Sequence, residues 1–362
     1  MAAYTTIDNP LEFFNTVVYT GNGVAIGSGG NSVTGVGFQA DITWIKRRDA
    51  VSQHDLYDSV QGAQKRIYPD ETYAQDTGVT ESLNAWTADG FNLGNSGGGN
   101  ASGGDYVAWN WFCGTTASGS TTGSGTTKTY SYSVNATSGV SAITYEGNGT
   151  TGHTIPHGLG AVPEFIIIKD LASNNWNCYH VTIDWDYIFR LNTNAAAANE
   201  NNRFQATPTS TVFSLGDDAH TNGNGNNYAA YAFAPKQGFS IFGNYIGNAR
   251  VPDGRFVYCG FRPAFVIVKN QDAAENWEMM DNKRQGFNAP STSNKGNWRL
   301  IPNSNAAKNT NSGATFTATG FKLIQSSSEL NANNDNYSFI AFAAAPLVSS
   351  EGVPANSRQY FG

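Results

Sequence analysis

The sequence predicts an all-β protein made of three tandem, homologous β-sandwich units, which are jelly-roll-like and contain about 100 residues each. Composition is the first of three observations behind this prediction: 14% of the 362 residues are charged, 13% are aromatic and 40 are glycine. An average soluble protein has roughly 25% charged residues. The second observation is a spacing pattern that occurs three times. The third is a series of short apolar runs separated by Asn-Gly and Asp-Gly turns.

The three-fold repeat rests on residue types at fixed spacings. In each unit a glycine lies nine residues before a lysine, and a tyrosine follows that lysine by 59, 60 or 68 residues. A Tyr-x-Gly-Asn motif lies 24 or 27 residues before each lysine. Because the residues recur, we interpret them as fold constraints, and the lysines as strand-end residues whose stems cover apolar surface. We call nine of them the repeat landmarks: Gly37, Lys46, Tyr106, Gly160, Lys169, Tyr228, Gly260, Lys269 and Tyr337.

Two strands can be predicted in every unit. The run that ends at the landmark lysine is β-branched and apolar on both faces, which indicates a covered central strand. The run that begins at the landmark tyrosine alternates, so that one face carries large residues and the other mainly small ones. An inner apolar element precedes that tyrosine by 15 or 16 residues, at Phe91, Phe213 and Phe321. The larger face of the closing run carries Val107, Trp109, Trp111, Ala229, Tyr231, Phe233, Ser338, Ile340 and Phe342.

These patterns divide the chain into five parts. Residues 114–128 are rich in Gly, Ser and Thr, a composition typical of a flexible linker. Alternation resumes at residue 129, which predicts an extra strand in the second unit. The connection between the second and third units consists of residues 234–237 and allows almost no slack, so we expect those two units to be docked rigidly and the first to be more independent. The predicted parts are unit 1 (1–113), the linker (114–128), unit 2 (129–236), unit 3 (237–346) and a C-terminal arm that binds a neighbour (347–362).

Composition and motifs also exclude several protein classes. The net charge of −7 argues against a nucleic-acid-binding protein. No run of 18 apolar residues is present, so we predict no membrane insertion, and the first residues do not resemble a signal peptide. Three isolated cysteines without a Cys-x-x-Cys motif favour buried free thiols in a protein made in a reducing cytoplasm. They are Cys113, Cys178 and Cys259.

The third unit contains the most specific resemblance to a known family. Residues 254–269 read Gly-Arg-Phe-Val-Tyr-Cys-Gly-Phe-Arg-Pro-Ala-Phe-Val-Ile-Val-Lys, and residues 340–346 read Ile-Ala-Phe-Ala-Ala-Ala-Pro. This resembles a recurrent run in uncharacterised structural and tail-fibre-like proteins of tailed bacteriophages, many from marine hosts. Unit 1 is similar to a sister version in residues 44–46, 57–63 and 106–109, so the resemblance covers nearly the whole chain. Cys259 departs from it, since threonine is usual there. The resemblance implies a virion component and supplies no catalytic residues.

The residues themselves give little support for an enzyme. His153 and His157 flank a proline that breaks any helix, so they do not form a helical metal pair. No nucleophile elbow or P-loop is present. Asp184 and Asp186 alternate along a predicted strand and could face one cleft, as a glycosidase pair would, although solvated strand residues explain them better. We therefore predict no catalytic residues, no cofactor and no metal site, with calcium at 217–218 or 331–336 as an alternative.

A binding role fits the composition better. Sugar-binding surfaces combine aromatic rings with amide and hydroxyl groups, and three tryptophans are candidates for ligand binding or packing: Trp176, Trp277 and Trp298. The first two lie seven and eight residues after a landmark lysine, so a core position is the alternative for them. An uncharged, aromatic surface equally suits packing between proteins.

The sequence thus predicts a non-enzymatic bacteriophage virion protein. We favour a tail-fibre or tail-associated host-recognition component that binds other virion proteins and a host surface glycan or receptor. From the resemblance we expect a homo-oligomer, with a trimer favoured. A capsid decoration protein is the first alternative, and a glycan-degrading tailspike-type enzyme is the second.

Overall fold

The computed structural model describes residues 4–251, 253–284, 298–311 and 313–354. The chain is nearly all β, with 43% of residues in strands and 4% in helices, which confirms the all-β prediction. Within the described ranges no helix is long and apolar enough to cross a membrane. The helical turns that the structure describes are 3-10 helices at Pro10–Glu12 and Ile26–Ser28 and two α-helices, α1 (Gly97–Asn100) and α2 (Ala219–Asn222).

The strands follow the three repeats in order. Repeat 1 contains β1 (Phe14–Thr20), β2 (Asn31–Thr34), β3 (Ile42–Arg47), β4 (His54–Asp58), β5 (Lys65–Arg66), β6 (Asp76–Thr77), β7 (Leu83–Thr87), β8 (Gly90–Leu93) and β9 (Asp105–Trp111). The next segment contains β10 (Thr115–Ser120) and β11 (Thr122–Gly123).

Repeat 2 contains β12 (Thr129–Asn135), β13 (Val140–Glu146), β14 (His153–Pro156), β15 (Phe165–Asp170), β16 (Asn177–His180), β17 (Tyr187–Arg190), β18 (Ala198–Asn199), β19 (Val212–Leu215) and β20 (Asn227–Phe233). Repeat 3 contains β21 (Ser240–Ile246), β22 (Phe256–Tyr258), β23 (Phe261–Asn270), β24 (Glu278–Asp281), β25 (Ala314–Phe316), β26 (Gly320–Leu323) and β27 (Asn336–Pro346).

Equivalent strands pair in the same order in each repeat. The four-stranded antiparallel arrangement is β1-β9-β3-β4 in repeat 1, β13-β20-β15-β16 in repeat 2 and β21-β27-β23-β24 in repeat 3. A three-stranded sheet accompanies each of them: β2-β8-β7, β11-β14-β19 and β22-β26-β25. The predicted strand that ends at the landmark lysine and the predicted closing strand lie side by side at the centre of every four-stranded arrangement. Both predictions are confirmed.

The segment predicted as a flexible linker is instead part of the sheets. β10 pairs along its whole length with β12, and β11 pairs with β14. The sheet of repeat 2 therefore has eight strands, in the order β10-β12-β13-β20-β15-β16-β17-β18. Glycine lowers the strand propensity of this segment, but its threonines favour a strand, and backbone pairing to a neighbouring strand decides the outcome. The extra strand predicted from residue 129 is confirmed as β12.

The hydrophobic core has one central part and three peripheral parts. The larger faces of all three closing strands meet in one central cluster, through residues such as Trp111, Phe233 and Phe342. The smaller faces lie in three separate clusters, each containing residues from the four-stranded and the three-stranded sheet of one repeat. Since repeat 1 contributes to the central cluster as fully as its neighbours do, the prediction that it is more independent is wrong.

The landmark glycines mark turns that need a left-handed backbone. Gly37, Gly160 and Gly260 have φ angles of +87°, +65° and +75°, a region that glycine enters without a steric penalty. In each repeat the turn leads into the central strand that ends at the landmark lysine. The recurrence of glycine at these positions therefore has a backbone cause.

The described part of the C-terminal segment lies against the start of the chain. The Ser350 hydroxyl and backbone N–H both donate to the Asp8 carboxylate. The remainder of the predicted arm, residues 355–362, lies outside the described residues.

Candidate functional site

The three landmark lysines join the repeats in a closed ring. Their side chains are fully buried. Each amine donates to a carbonyl of its own turn and to a carbonyl of another repeat. The contacts between repeats run from Lys46 to Asn305 O at 3.1 Å, from Lys169 to Thr72 O at 3.3 Å and from Lys269 to Asn194 O at 3.2 Å. Repeat 1 thus contacts repeat 3, repeat 3 contacts repeat 2, and repeat 2 contacts repeat 1.

The prediction that these lysines only cover apolar surface with their alkyl chains is wrong, because such a lysine would leave its amine in water and these amines are buried. Within its own turn Lys169 also donates to Ser173 O and Asn174 O, at 2.8 and 2.9 Å. The partners are neutral carbonyls, so burial dominates the electrostatics. It lowers the pKa of Lys46, Lys169 and Lys269 from 10.5 to about 8.

A ring nitrogen lies at the equivalent place in each repeat and reinforces the same contacts. Trp176 Nε1 donates to Tyr68 O at 2.8 Å, from repeat 2 to repeat 1. Trp277 Nε1 donates to Arg190 O at 3.0 Å, from repeat 3 to repeat 2. In repeat 1 the position is taken by His54, eight residues after its lysine.

The His54 ring makes the corresponding contact to repeat 3. Its Nδ1 accepts a hydrogen bond from Trp44 Nε1 at 2.9 Å, which assigns the ring proton to Nε2. Nε2 lies 3.1 Å from Ile301 O and donates to it. Burial, and after it the Lys46 charge, hold the pKa of His54 well below its usual range, so the neutral ring is the stable form.

A third set of contacts joins the closing strands to the ends of β4, β16 and β24. Tyr231 Oη donates to Asp58 Oδ2 at 2.7 Å, and Trp109 Nε1 donates to Asp281 Oδ2 at 3.1 Å. The register places His180 where Asp58 and Asp281 lie, and its Nε2 is 3.2 Å from the backbone oxygen of Phe339. Burial raises the pKa of Asp58 to about 6.

The landmark tyrosines brace the turn before each closing strand. Tyr228 Oη donates to Ala219 O at 2.6 Å and accepts from the backbone N–H of Gly223 at 2.6 Å. Tyr106 and Tyr337 make the same pair of hydrogen bonds in repeats 1 and 3, so the role is structural in all three copies.

An asparagine that the sequence analysis did not single out completes this turn. Asn222 Oδ1 accepts from the backbone N–H of Asn148 at 2.9 Å, and Asn222 Nδ2 donates to Gly216 O. The equivalent contacts are made by Asn100 and Asn331. Each of the three lies six residues before its landmark tyrosine, a fixed spacing by which they could have been found.

Two of the three candidate tryptophans are core residues. Trp176 and Trp277 are buried in the central cluster and make the contacts described above. This confirms the core alternative for them and removes them as ligand platforms. Trp298 is half-buried, and the Lys308 amine lies over its ring, 4.7 Å from the centroid.

The other residues considered for chemistry make structural contacts. His153 lies 2.8 Å from Asn222 Oδ1 and 2.7 Å from Thr121 Oγ1, and His157 Nε2 lies 3.1 Å from Thr209 O. Asp184 and Asp186 lie in the turns before β17, so the prediction that they alternate along a strand is wrong.

The calcium alternative gains no support from the segments that suggested it. Asp218 caps α2 through the backbone N–H of His220 and pairs with the Arg203 guanidinium. Asn331 makes the turn contacts given above. Across the described ranges there is no group of three or more His, Cys, Asp or Glu residues that could hold a metal ion. The three cysteines are buried and free, as predicted.

One groove lies between repeat 1 and the hairpin formed by β10 and β12. Its volume is about 740 Å³, and a second groove of about 490 Å³ lies between repeats 2 and 3, where Thr182 and Tyr187 face Gln271. Asp41 at its floor accepts from Ser59 Oγ at 2.5 Å, from Ser133 Oγ at 2.9 Å and from the Cys113 backbone N–H at 2.8 Å. Oδ1 therefore joins repeat 1 to the hairpin through Ser133, while Oδ2 holds the end of repeat 1 just before β10.

Comparison with known proteins identifies a family for almost the whole chain. Residues 9–346 match the model of a domain of unknown function, DUF7483. The chain belongs to this family. No curated protein and no solved structure matches it. The DUF7483 match spans all three repeats of this chain.

Proposed function

We propose that this DUF7483 protein is a non-enzymatic structural component of a bacteriophage virion. Its proposed place is the tail, as a tail-fibre or tail-associated component that recognises a host surface glycan or receptor. One observation carries the proposal: the residues that recur in all three repeats, with lysine, tyrosine and asparagine foremost, join the repeats or brace their turns. Groups of the kind that enzymes use for catalysis serve here to build a rigid scaffold.

We also propose that each repeat is a jelly-roll-like β-sandwich formed by its four-stranded and three-stranded sheets. This is supported by the three peripheral clusters, each of which takes residues from both sheets of one repeat. Each of the three sandwiches contributes the outer face of its four-stranded arrangement to the shared central cluster. Among the described residues a cavity of about 30 Å³ with apolar lining lies there, too small and too apolar to hold a ligand.

The cyclic order of the contacts favours a second candidate, a capsid decoration protein. Three repeats in a ring give one chain an approximate three-fold arrangement, which can match a three-fold position on a capsid. In either location the protein would be made in the host cytoplasm, bind other virion proteins and form a homo-oligomer, for which we favour a trimer.

Antibody labelling of intact virions tests the proposal and separates its two locations. Gold particles on the tail support host recognition, and gold on the head supports decoration. Virions without label, from a phage that encodes this chain, would contradict both. In parallel, the purified protein is incubated with host surface polysaccharide. Binding without a fall in polymer length is the expected result, and depolymerisation would overturn the non-enzymatic proposal.

A further inference from the structure

Repeat 3 exposes two aromatic rings side by side on its outer sheet. Phe256 and Tyr258 in β22 are 45% and 59% exposed, whereas Val257 between them is buried. Alternate residues of a strand point to the same face and lie roughly 7 Å apart. The two rings therefore form an adjacent pair on the outward face of the sheet β22-β26-β25.

The other repeats do not share this pair. Val257 lies opposite Phe321, Val33 lies opposite Phe91, and Ile155 lies opposite Phe213, which fixes the equivalent positions. The residues that correspond to Phe256 and Tyr258 are Ser32 and Thr34 in repeat 1 and Thr154 and Pro156 in repeat 2. Since two repeats fold the same strand without aromatic residues, the fold does not require them in the third.

One ring of the pair, that of Tyr258, lies opposite Gly320 in the sheet and has a neighbour from the start of the chain. Tyr4 lies beside Tyr258, and its hydroxyl donates to Gly260 O at 2.5 Å. Burial, and after it the neighbouring Tyr258, raise the pKa of Tyr4.

Basic residues adjoin the pair along the chain and across the sheet, although the chain is acidic. Arg250 and Arg255 are exposed and precede β22, and Arg255 Nε donates to Ile246 O at 2.9 Å. Lys322 lies opposite Phe256 on β26. One carboxylate accompanies them: Asp253 lies 3.6 Å from the Lys322 amine. These four residues carry a net charge of +2 in a chain whose net charge is −7. The local charge thus complements an anionic partner.

We propose that this face binds a polysaccharide that carries carboxylate groups. The apolar faces of its sugar rings stack on Phe256 and Tyr258, while its carboxylates face Arg250, Arg255 and Lys322. Guanidinium groups suit this task because their geometry matches that of a carboxylate. The inference rests on the proposed host-recognition function and names the ligand class. A failure of this inference can be distinguished from a failure of the proposed function, because binding to a polysaccharide is measured with the purified protein and without virions.

The test measures binding of the complete chain to polygalacturonate, with neutral dextran as the uncharged comparison. The main variant, Phe256→Ser with Tyr258→Thr, replaces the pair by the residues that repeat 1 has there, in the same order. We expect it to weaken binding to polygalacturonate at least tenfold. The matched control, Ser32→Ala with Thr34→Ala, changes the equivalent strand of repeat 1 and should keep wild-type affinity within twofold.

A second variant separates charge from stacking. Arg255→Gln should weaken binding to polygalacturonate and make that binding less dependent on salt concentration. The thermal unfolding of the variant should match that of the wild type. The proposal is overturned if the wild-type chain does not bind polygalacturonate, if it binds dextran equally well, or if the Phe256 and Tyr258 substitutions leave binding unchanged. It is also overturned if those substitutions abolish self-association instead, since a second copy would then be the occupant of this face.

Discussion

The indole N–H of Trp176 in repeat 2 donates to the backbone oxygen of Tyr68 in repeat 1, across 2.8 Å. The two residues are 108 positions apart in the chain. Equivalent contacts from His54 to Ile301 and from Trp277 to Arg190 make the arrangement cyclic. Each repeat therefore depends on both of the others, and the three form one cooperative body.

Replacing Trp176 by phenylalanine should weaken the junction between repeats 1 and 2. The change removes the donor to Tyr68 O and to Glu71 O and leaves space in the central core. We expect the free energy of unfolding to fall by about 2–4 kcal/mol, measured by urea denaturation. Trp185→Phe, at a half-buried position, is the control and should cost less than about 1 kcal/mol. Equal effects of the two substitutions would contradict the assigned role.

The buried lysines should make the protein more stable as the pH rises from 7.5 to 9. Their pKa is about 8 in the folded chain and 10.5 as the ordinary value, so the unfolded state binds more protons in this range. Stability rises with pH wherever that holds, by about 1 kcal/mol for each lysine over this interval. Above pH 9 the cysteines act in the opposite direction, because burial raises their pKa in the folded state.

Urea denaturation at a series of pH values checks this prediction. Lys169→Met should remove about one third of the lysine contribution to the rise. Lys65→Met changes an exposed lysine and should leave the slope as it is in the wild type. A slope that is the same in all three proteins would show that the buried amines do not titrate as described.

Asp58 should favour the folded state at acidic pH. Its pKa is about 6 in the folded chain and 3.8 as the ordinary value, so the folded state holds the proton more tightly. The stabilisation is fully present below pH 3.8 and is lost as the pH rises through 6. Between pH 7 and pH 4 it amounts to about 2 kcal/mol.

Asp58→Asn should abolish that acid-side gain relative to the wild type. Thermal unfolding between pH 4 and pH 7 measures it, with Asp253→Asn as the exposed control. A stability difference between wild type and Asp58→Asn that does not change with pH would contradict this, because it would show that the carboxyl group bound by Tyr231 does not take up a proton in this range.

The local architecture could be predicted from the sequence, because turn conformation and strand alternation depend on residues that are close together in the chain. Gly160 recurs since its turn needs a positive φ, and alternation around Tyr231 reveals the strand that separates two cores. The spacing of Lys169 correctly marks the end of a central strand. These features depend on backbone conformation and strand periodicity, both of which a linear pattern contains.

The relations between repeats could not be predicted, because their partners lack a sequence signature. The Lys169 amine binds the backbone oxygen of Thr72, and any residue type supplies a backbone oxygen. Composition likewise indicated a linker at Thr115–Ser120, although its pairing with β12 is set by position. The exposure of Phe256 and Tyr258 could not be predicted either, since alternation alone does not tell which face of an edge strand is covered.

Native-state hydrogen exchange tests the closed ring of repeats most directly. The closing strands β9, β20 and β27 each lie at the centre of one repeat, so their amides report the opening of that repeat. We predict that the most protected amides of all three strands exchange with the same opening free energy, within about 1 kcal/mol, because the shared central core opens only as a whole. Exchange of β9 through a separate, less costly opening, with β20 and β27 still protected, would contradict the ring and restore an independent first repeat.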